Sequence, residues 1–469
     1  MDLLKRAREF VANNTVADCY KCRVHLTPET GWLNDPNGYS FYNGKYHMFY
    51  QFYPYATHWG MMHWGHATSS DCIKWEYAPV ALAPKYPFAI GKACYSGSAI
   101  EHNGAHYLMF TQNGIGQRQC LAYSTDGVDY TRIMKPVIAE KDLPADVSIG
   151  NFRDPKVYKR GSKFYVLIGG RQKGNVKFGN ILLFSSDDLY SWKYIGKLFE
   201  KSFCIKHFED MAECPDFFTI GGKDVIVVSP WRKQKVLYSV GSLDYETGKF
   251  ASGDVELLDY GTDFFATQST TIASGDVVLS AWAQGTVSAE NPMVKHGWNG
   301  LLTLPRKVTL KDNKIYQMPI EALKNYRKNC EKFQGELVAS REMSTHGDVL
   351  DIELKFNRIK DGDGIVLYAD NEGNGLKVYY EKGFVKIDRT LNYRTSVASA
   401  AEYILSAPVD TNNGALNIRI VLDKFIIEVF ANEGQRAFST LVAHTPERTK
   451  VVLVTASKTE CEAELYNIN

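Results

Sequence analysis

Five stretches of the chain repeat one pattern: a short apolar or aromatic run, a turn containing glycine, then a second apolar run. They are DPNGYSFYNGKYHMFYQ from Asp35, GSAIEHNGAHYLMFTQ from Gly97, DPKVYKRGSKFYVLIGG from Asp154, CPDFFTIGGKDVIVVSP from Cys214 and FATQSTTIASGDVVLSAW from Phe265. Runs of this kind are β-hairpins. Their starts fall 51–62 residues apart. A second hairpin follows in GHATSSDCIKWEYAPVAL, LAYSTDGVDYTRIMKPVI and LLFSSDDLYSWKYIGKLF, each with a Ser- and Asp-containing turn and then an aromatic residue (Trp75, Tyr130, Trp192). Two hairpins make four strands. Five four-stranded units at this period predict an all-β chain with a five-bladed β-propeller over residues 25–320. A long irregular β-sandwich would not keep so regular a period.

The repeat gives meaning to the stretch GWLNDPNG, residues 31–38. Asn-Asp-Pro-Asn-Gly is turn chemistry, because Asn and Asp bond their own backbone, Pro fixes φ and Gly permits φ > 0. A turn, however, demands no particular carboxylate. In a propeller the first strand of each blade lines the central channel. Asp35, Asp154 and Glu213 all fall at the start of such a strand, although 119 and 59 residues separate them. Blade geometry therefore predicts that they meet at one end of the axis. A lone Asp in a turn is ordinarily structural; three acids at one repeat position point to chemistry.

Beyond residue 320 the pattern changes. MPIEALKNYRKNC predicts a connecting helix, placed over residues 321–334. Short alternating runs follow: DVLDIELKF, GIVLYAD, GLKVYYEKGFVKIDR, ALNIRIVLDKFIIEVFANEG and KVVLVTA. They predict a C-terminal β-sandwich over 335–469. This unit either caps the propeller or helps to form a homodimer. At the other end, Leu3, Leu4, Ala7, Phe10 and Val11 fall at helical spacing and predict an amphipathic helix within residues 1–24.

Composition removes several classes of partner. The formal net charge is +1 and no basic or acidic block stands out, so neither nucleic acid nor a membrane surface is supported as a partner. No apolar run approaches the roughly 18–20 residues of a membrane span. The start, MDLLKRAREFVANNTV, is interrupted by Lys5, Arg6, Arg8 and Glu9, unlike a signal peptide. Nine scattered cysteines, an odd number, predict reduced thiols and a cytoplasmic protein. Cys19 and Cys22 form a C-x-x-C without a second pair, and His63 and His66 lie three apart without a third ligand, so structural roles are expected for them. No metal or other cofactor is expected.

Five short motifs then point to a family. WLNDPNG (32–38), YSGS (95–98), FRDP (152–155), ECP (213–215) and VFANEG (429–434) resemble, in the right order and over nearly the whole chain, the β-fructofuranosidases of glycoside hydrolase family 32. These are invertases, sucrose-6-phosphate hydrolases and fructanases, and their fold is a five-bladed propeller followed by a β-sandwich. The resemblance implies hydrolysis of terminal non-reducing β-D-fructofuranosyl residues from sucrose, sucrose 6-phosphate or short fructo-oligosaccharides, with retention by double displacement. A retaining enzyme sets two carboxyl groups roughly 5–5.5 Å apart.

By resemblance Asp35 is the nucleophile, Glu213 the acid/base and Asp154 the acid that holds fructose hydroxyls, with Arg153 beside it to orient it and limit repulsion among the acids. The resemblance also implies fructosyl contacts for Trp32, Asn34, Gln51, Trp59, Tyr95, Ser96 and Trp282. Rings suit a sugar's apolar face and amides suit its hydroxyls. A phosphate on the leaving sugar would want cations at the rim, and Arg171, Lys173 and Lys206 are the candidates. Two readings compete with hydrolysis. A fructosyltransferase would use the same covalent intermediate with a sugar as acceptor. A non-catalytic carbohydrate-binding propeller would have no use for both Asp35 and Glu213.

Overall fold

The computed structural model describes residues 2–85, 92–284, 292–392, 403–411, 413–443 and 446–469. Each repeated hairpin of the sequence is present, and each opens an antiparallel sheet. Sheet one runs Gly31–Tyr42, Lys45–Tyr53, His63–Ser69 and Glu76–Leu82. Sheet two runs Ala93–His102, Ala105–Gly114, Gly116–Ser124 and Thr131–Arg132. Sheet three runs Val147–Arg160, Lys163–Gln172, Gly179–Ser186 and Lys193–Lys197. Sheet four runs Ala212–Ile220, Lys223–Pro230, Leu237–Leu243 and Phe250–Leu257. Sheet five pairs Phe265–Thr271, Val277–Ala283, Arg306–Lys311 and Lys314–Pro319.

The first strand of each sheet touches the first strands of the sheets before and after it, and that of sheet five touches that of sheet one. A short strand, Trp298–Asn299, adds parallel to Gly31–Trp32 and ties the last repeat to the first. The sheets pack on one another through apolar faces: Leu167, Ile181 and Leu183 of sheet three meet Phe217, Ile226 and Val228 of sheet four.

The Ser/Asp turns recur as one device. Ser69 Oγ accepts from the N–H groups of Asp71 and Cys72, while Asp71 Oδ1 accepts from those of Ile73 and Lys74. Ser124 with Asp126, and Ser186 with Asp188, repeat the same bonds. Polar side chains thus satisfy backbone donors that a reversing chain cannot pair internally. The Ser124 hydroxyl, which donates to Asp126 Oδ1 (2.6 Å), and the Val128 and Asp129 N–H groups hold the Asp126 carboxyl down at about 2.

Two six-stranded sheets form the C-terminal unit. Leu350, Ile352, Leu354, Ile418 and Ile420 of one share a core with Ile365, Leu367, Val378, Ile387 and Leu453 of the other. The helix expected over 321–334 is not formed. Glu321–Tyr326 is a 3-10 turn, and Arg327–Leu337 is a strand paired antiparallel with Thr459–Ile468. Cross-strand partners outweigh helix propensity here: Arg327 bonds Asp351 (2.8 Å) and Glu353, and its guanidinium lies over the Tyr466 ring. At the other end Leu3–Asn14 is helical, capped by Asp2 and buried along Ala7 and Val11.

A charged cluster joins the C-terminal unit to sheet five. Arg306 is fully buried between Asp259 (2.8 Å) and Glu428 (2.7 Å). His25 is buried between Asp423 (2.8 Å) and Glu428 (3.1 Å). Removing one partner of such a cluster strands an uncompensated charge, which costs several kcal/mol.

Candidate active site

The first strands of all five sheets are bulged at one level. The register slips between Leu33 and Pro36, Tyr95 and Gly97, Arg153 and Lys156, Glu213 and Asp216, and Phe265 and Gln268. At three of these places a non-glycine residue adopts a left-handed backbone: Asp154 (φ 65°), Cys214 (φ 44°) and Ala266 (φ 55°). A bulge bends a strand and re-aims its side chains, and non-glycine residues at φ > 0 mark strain held by the surroundings. Asn34, Asp35, Ser96, Asp154 and Cys214 sit in these bulges, with Glu213 at the edge of its own. The Asn-Asp-Pro-Asn-Gly run is therefore not a turn. It lies inside the strand Gly31–Tyr42, where its turn-forming residues serve two bulges.

Asn34, Asp35, Ser96, Arg153, Asp154, Glu213 and Phe265, in or beside these bulges, reach one cavity of about 560 Å³. Its walls include Asn34, Asp35, Gln51, Trp59, Tyr95, Ser96, Arg153, Asp154, Glu213 and Trp282. Asp35 accepts from Ser96 Oγ (2.6 Å) on Oδ2 and from Asn34 Nδ2 (3.1 Å) on Oδ1. Cys214 Sγ lies 3.6 Å from both Asp35 Oδ2 and Asp154 Oδ2. Asp154 also accepts from the Cys214 N–H (3.0 Å). Arg153 donates to Glu213 Oε1 through Nη2 (2.5 Å) and Nε (3.1 Å), and its Nε stands 3.9 Å from Asp154.

Three carboxyl groups against one guanidinium cannot all ionise cheaply in a partly buried cavity. Burial raises Glu213 to about 7; Arg153 works against the rise and Asp154 adds to it. Burial likewise raises Asp154 to about 6, with Arg153 opposing and Asp35 assisting. Asp35 is raised by burial too, but Ser96, Asn34 and Cys214 donate to its ionised form and restrain the shift. The pattern separates one carboxylate held ionised by side-chain donors from one carboxyl group that keeps its proton near neutrality, the division a general acid and a nucleophile require.

Trp32 stands apart from the other expected residues. It is buried behind the wall, where its Nε1 donates to Asn34 Oδ1 (2.8 Å) and its ring packs edge-on to Trp282. Alternation puts Trp32 on the same face of its strand as Asn34, and it bears on the cavity through Asn34 and Trp282 rather than lining it itself. Arg171, Lys173 and Lys206 also do not line the cavity. Arg171 pairs with Asp210, Lys173 donates to the Ala145 carbonyl (3.0 Å), and Lys206 sits on the helix Lys201–His207. His63 and His66 do not converge on a metal: His63 Nδ1 bonds the Met61 carbonyl, and His66 Nε2 bonds His47 Nδ1. All nine cysteines are free.

Sequence reasoning missed Gln117, Asn151, Trp231, Gln234 and Phe265, which also line the cavity. Gln117 Oε1 accepts from the Phe152 N–H (2.7 Å), and Gln117 and Asn151 both face Arg153 Nη1. Asn151 lies two residues before Arg153, a signal that was available. Gln117 and Trp231 carry none, since only the placement of their sheets brings them here. Trp282 lines the cavity while its indole N–H is itself buried, close to the Gly300 backbone, without a hydrogen-bond partner among the described residues.

Comparison with known proteins identifies the family. The pattern of the glycosyl hydrolases family 32 N-terminal domain matches residues 25–319, and that of the family 32 C-terminal domain matches 321–467. The chain belongs to glycoside hydrolase family 32. It is 32% identical to a sucrose-6-phosphate hydrolase of Zymomonas mobilis, over 88% of this chain and 84% of that one. It is 31% identical to a raffinose invertase of Escherichia coli, over 89% and 88%. A Bombyx mori β-fructofuranosidase variant in complex with sucrose superposes with a TM-score of 0.84 at 29% identity, over 99% of this chain and 98% of that one.

Proposed function

We propose that the chain is a retaining β-fructofuranosidase that hydrolyses terminal non-reducing β-D-fructofuranosyl residues from sucrose, sucrose 6-phosphate or short fructo-oligosaccharides. The observation that carries this reading is the meeting of Asp35, Asp154 and Glu213 in one cavity, at bulges of three separate sheets. The five sheets, whose first strands touch in a closed order, are read as a five-bladed propeller over 25–320. The two C-terminal sheets are read as a β-sandwich that follows it.

Asp35 attacks the anomeric carbon of the fructosyl unit and forms a covalent fructosyl ester. Ser96 and Asn34 hold its carboxylate in one orientation, so little reorganisation is needed at attack. Glu213, protonated below about pH 7, gives its proton to the leaving oxygen. The departing sugar leaves Glu213 ionised against Arg153. Glu213 then removes a proton from water, which attacks the anomeric carbon and frees Asp35. Asp154 holds fructose hydroxyls and favours the oxocarbenium-like transition state. Asn34, Gln51, Tyr95, Ser96 and Trp282 surround the fructosyl ring. Trp32 acts from behind by fixing Asn34. Nine free thiols suit a cytoplasmic setting.

The test is fructose release from sucrose, sucrose 6-phosphate and 1-kestose by wild type and Asp35→Asn, with mass spectrometry of a slow fructosyl donor. Turnover by wild type with a fructosyl adduct on Asp35 supports the reading. Turnover retained in Asp35→Asn ends it, and wild type inactive on all three returns the binding-module reading.

A further inference from the structure

The half of the cavity that receives the leaving sugar has no residue assigned to it above. Its position follows from the sheet that carries Glu213. The acid gives its proton to the oxygen that departs, so the leaving unit lies against Glu213's side of the cavity. Across sheet four Glu213 pairs with Ser229 and Ala212 with Pro230. The pairing continues one step further, where the Trp231 N–H donates to the Met211 carbonyl (3.1 Å). Side chains alternate along a strand, so Trp231, Ser229 and Glu213 share a face. Trp231 indeed lines the same cavity as Glu213, yet it is 47% exposed.

That exposed ring is held on a braced turn. The Lys233 N–H closes the turn onto the Pro230 carbonyl (3.1 Å). Gln234, itself at φ 50°, donates its side-chain amide to the Trp231 carbonyl and accepts from Gln284 Nε2 (2.9 Å). The cations of the turn are engaged elsewhere: Arg232 with Asp210 (3.8 Å), Lys233 with Glu209 (3.7 Å), and Lys235 with the Gly261 carbonyl (2.6 Å). The turn therefore offers the cavity an indole face and an amide. An indole face presented to water beside a general acid suits the apolar face of a pyranose ring.

We propose that Trp231 is the specificity-determining platform for the leaving group, stacking on the glycosyl unit released from fructose, and that Gln234 is the positioning residue that fixes it. This rests on the β-fructofuranosidase reading. The test compares kcat/KM on sucrose with kcat/KM on methyl β-D-fructofuranoside, whose leaving group is too small to reach Trp231. Full-length wild type, Trp231→Ala, Trp231→Tyr and Gln234→Ala are measured. Trp231→Ala loses about tenfold or more on sucrose and less than about twofold on the methyl glycoside. Trp231→Tyr recovers most of the loss, and Gln234→Ala falls between, again on sucrose alone. Equal losses on the two substrates, or no loss on sucrose, overturn the proposal while leaving the hydrolase reading intact. Wild type that cleaves neither substrate overturns that reading instead, and the proposal with it.

Discussion

Replacing His25 by Gln tests the charged cluster that joins the C-terminal unit to the five sheets. His25 has no exposed side-chain surface, and neither have Asp423 and Glu428 beside its two ring nitrogens. Burial disfavours a charged imidazole, but the two carboxylates overcome that penalty and lift His25 to about 9. An unfolded histidine titrates near 6.5. The difference of about 2.5 pK units corresponds to about 3 kcal/mol of pH-dependent stability. Because the folded-state value is raised, this stability is complete below about pH 6.5. It shrinks as pH rises and is lost through about pH 9. Arg306 and the Leu304 N–H still hold Glu428 in the variant, and the backbone N–H groups of Arg23, Val24 and the residue at 25 still hold Asp423. Both carboxylates therefore stay ionised, and the variant lacks only the titrating group.

The assay is urea unfolding of wild type and His25→Gln at pH 6, 7.5 and 9.5, followed by tryptophan fluorescence. The stability gap between the two proteins is largest at pH 6 and narrows by about 3 kcal/mol at pH 9.5. A gap that stays constant over this range refutes the buried imidazolium. A gap that widens with pH shows that the carboxylates, and not His25, titrate at the junction.

Three further outcomes concern the cavity. Glu213→Gln lowers kcat/KM on sucrose by about 10²–10⁴ while far-UV circular dichroism stays unchanged; near-normal turnover would defeat its role as acid. The same acid must be protonated to act, so wild-type kcat/KM on sucrose falls about tenfold per pH unit above about pH 7, where Glu213 loses its proton; a profile flat to pH 9 contradicts the raised value. Trp32→Phe keeps the ring but removes the donor to Asn34, and one hydrogen bond of about 1 kcal/mol corresponds to a loss of about fivefold in kcat/KM; unchanged kinetics show that Asn34 needs no such support.

The hairpins, their order and the three acids were legible because they repeat: turn glycines and alternating apolar residues are local signals, and every repeated hairpin formed where expected. What was not legible depends on partners far along the chain. The segment 327–334 carries helix-forming residues, yet it pairs with a strand more than a hundred residues later. Trp231 and Gln117 read as loop and strand residues, and only the approach of sheets two and four to sheet three makes them walls of the cavity. Trp32 sits in the most diagnostic motif of the chain, yet it is buried beside Asn34 and Trp282 instead of lining the cavity, and packing between strands, not the motif, decides that.

The bulges explain why a motif rich in Pro, Asn and Gly lies within a strand at all. A regular strand would alternate Asn34 and Asp35 to opposite faces, and only one of them would meet the cavity. The register slip between Leu33 and Pro36 lets both line it. Pro36 lacks an N–H and so asks nothing of the ladder at the slip. Pro155 and Pro215 do the same at the bulges that carry Asp154 and Cys214. The recurrence of an acid near a proline in WLNDPNG, FRDP and ECP is thus a single solution used three times: each proline stands where the ladder is interrupted, and each interruption aims a carboxyl group at the same space.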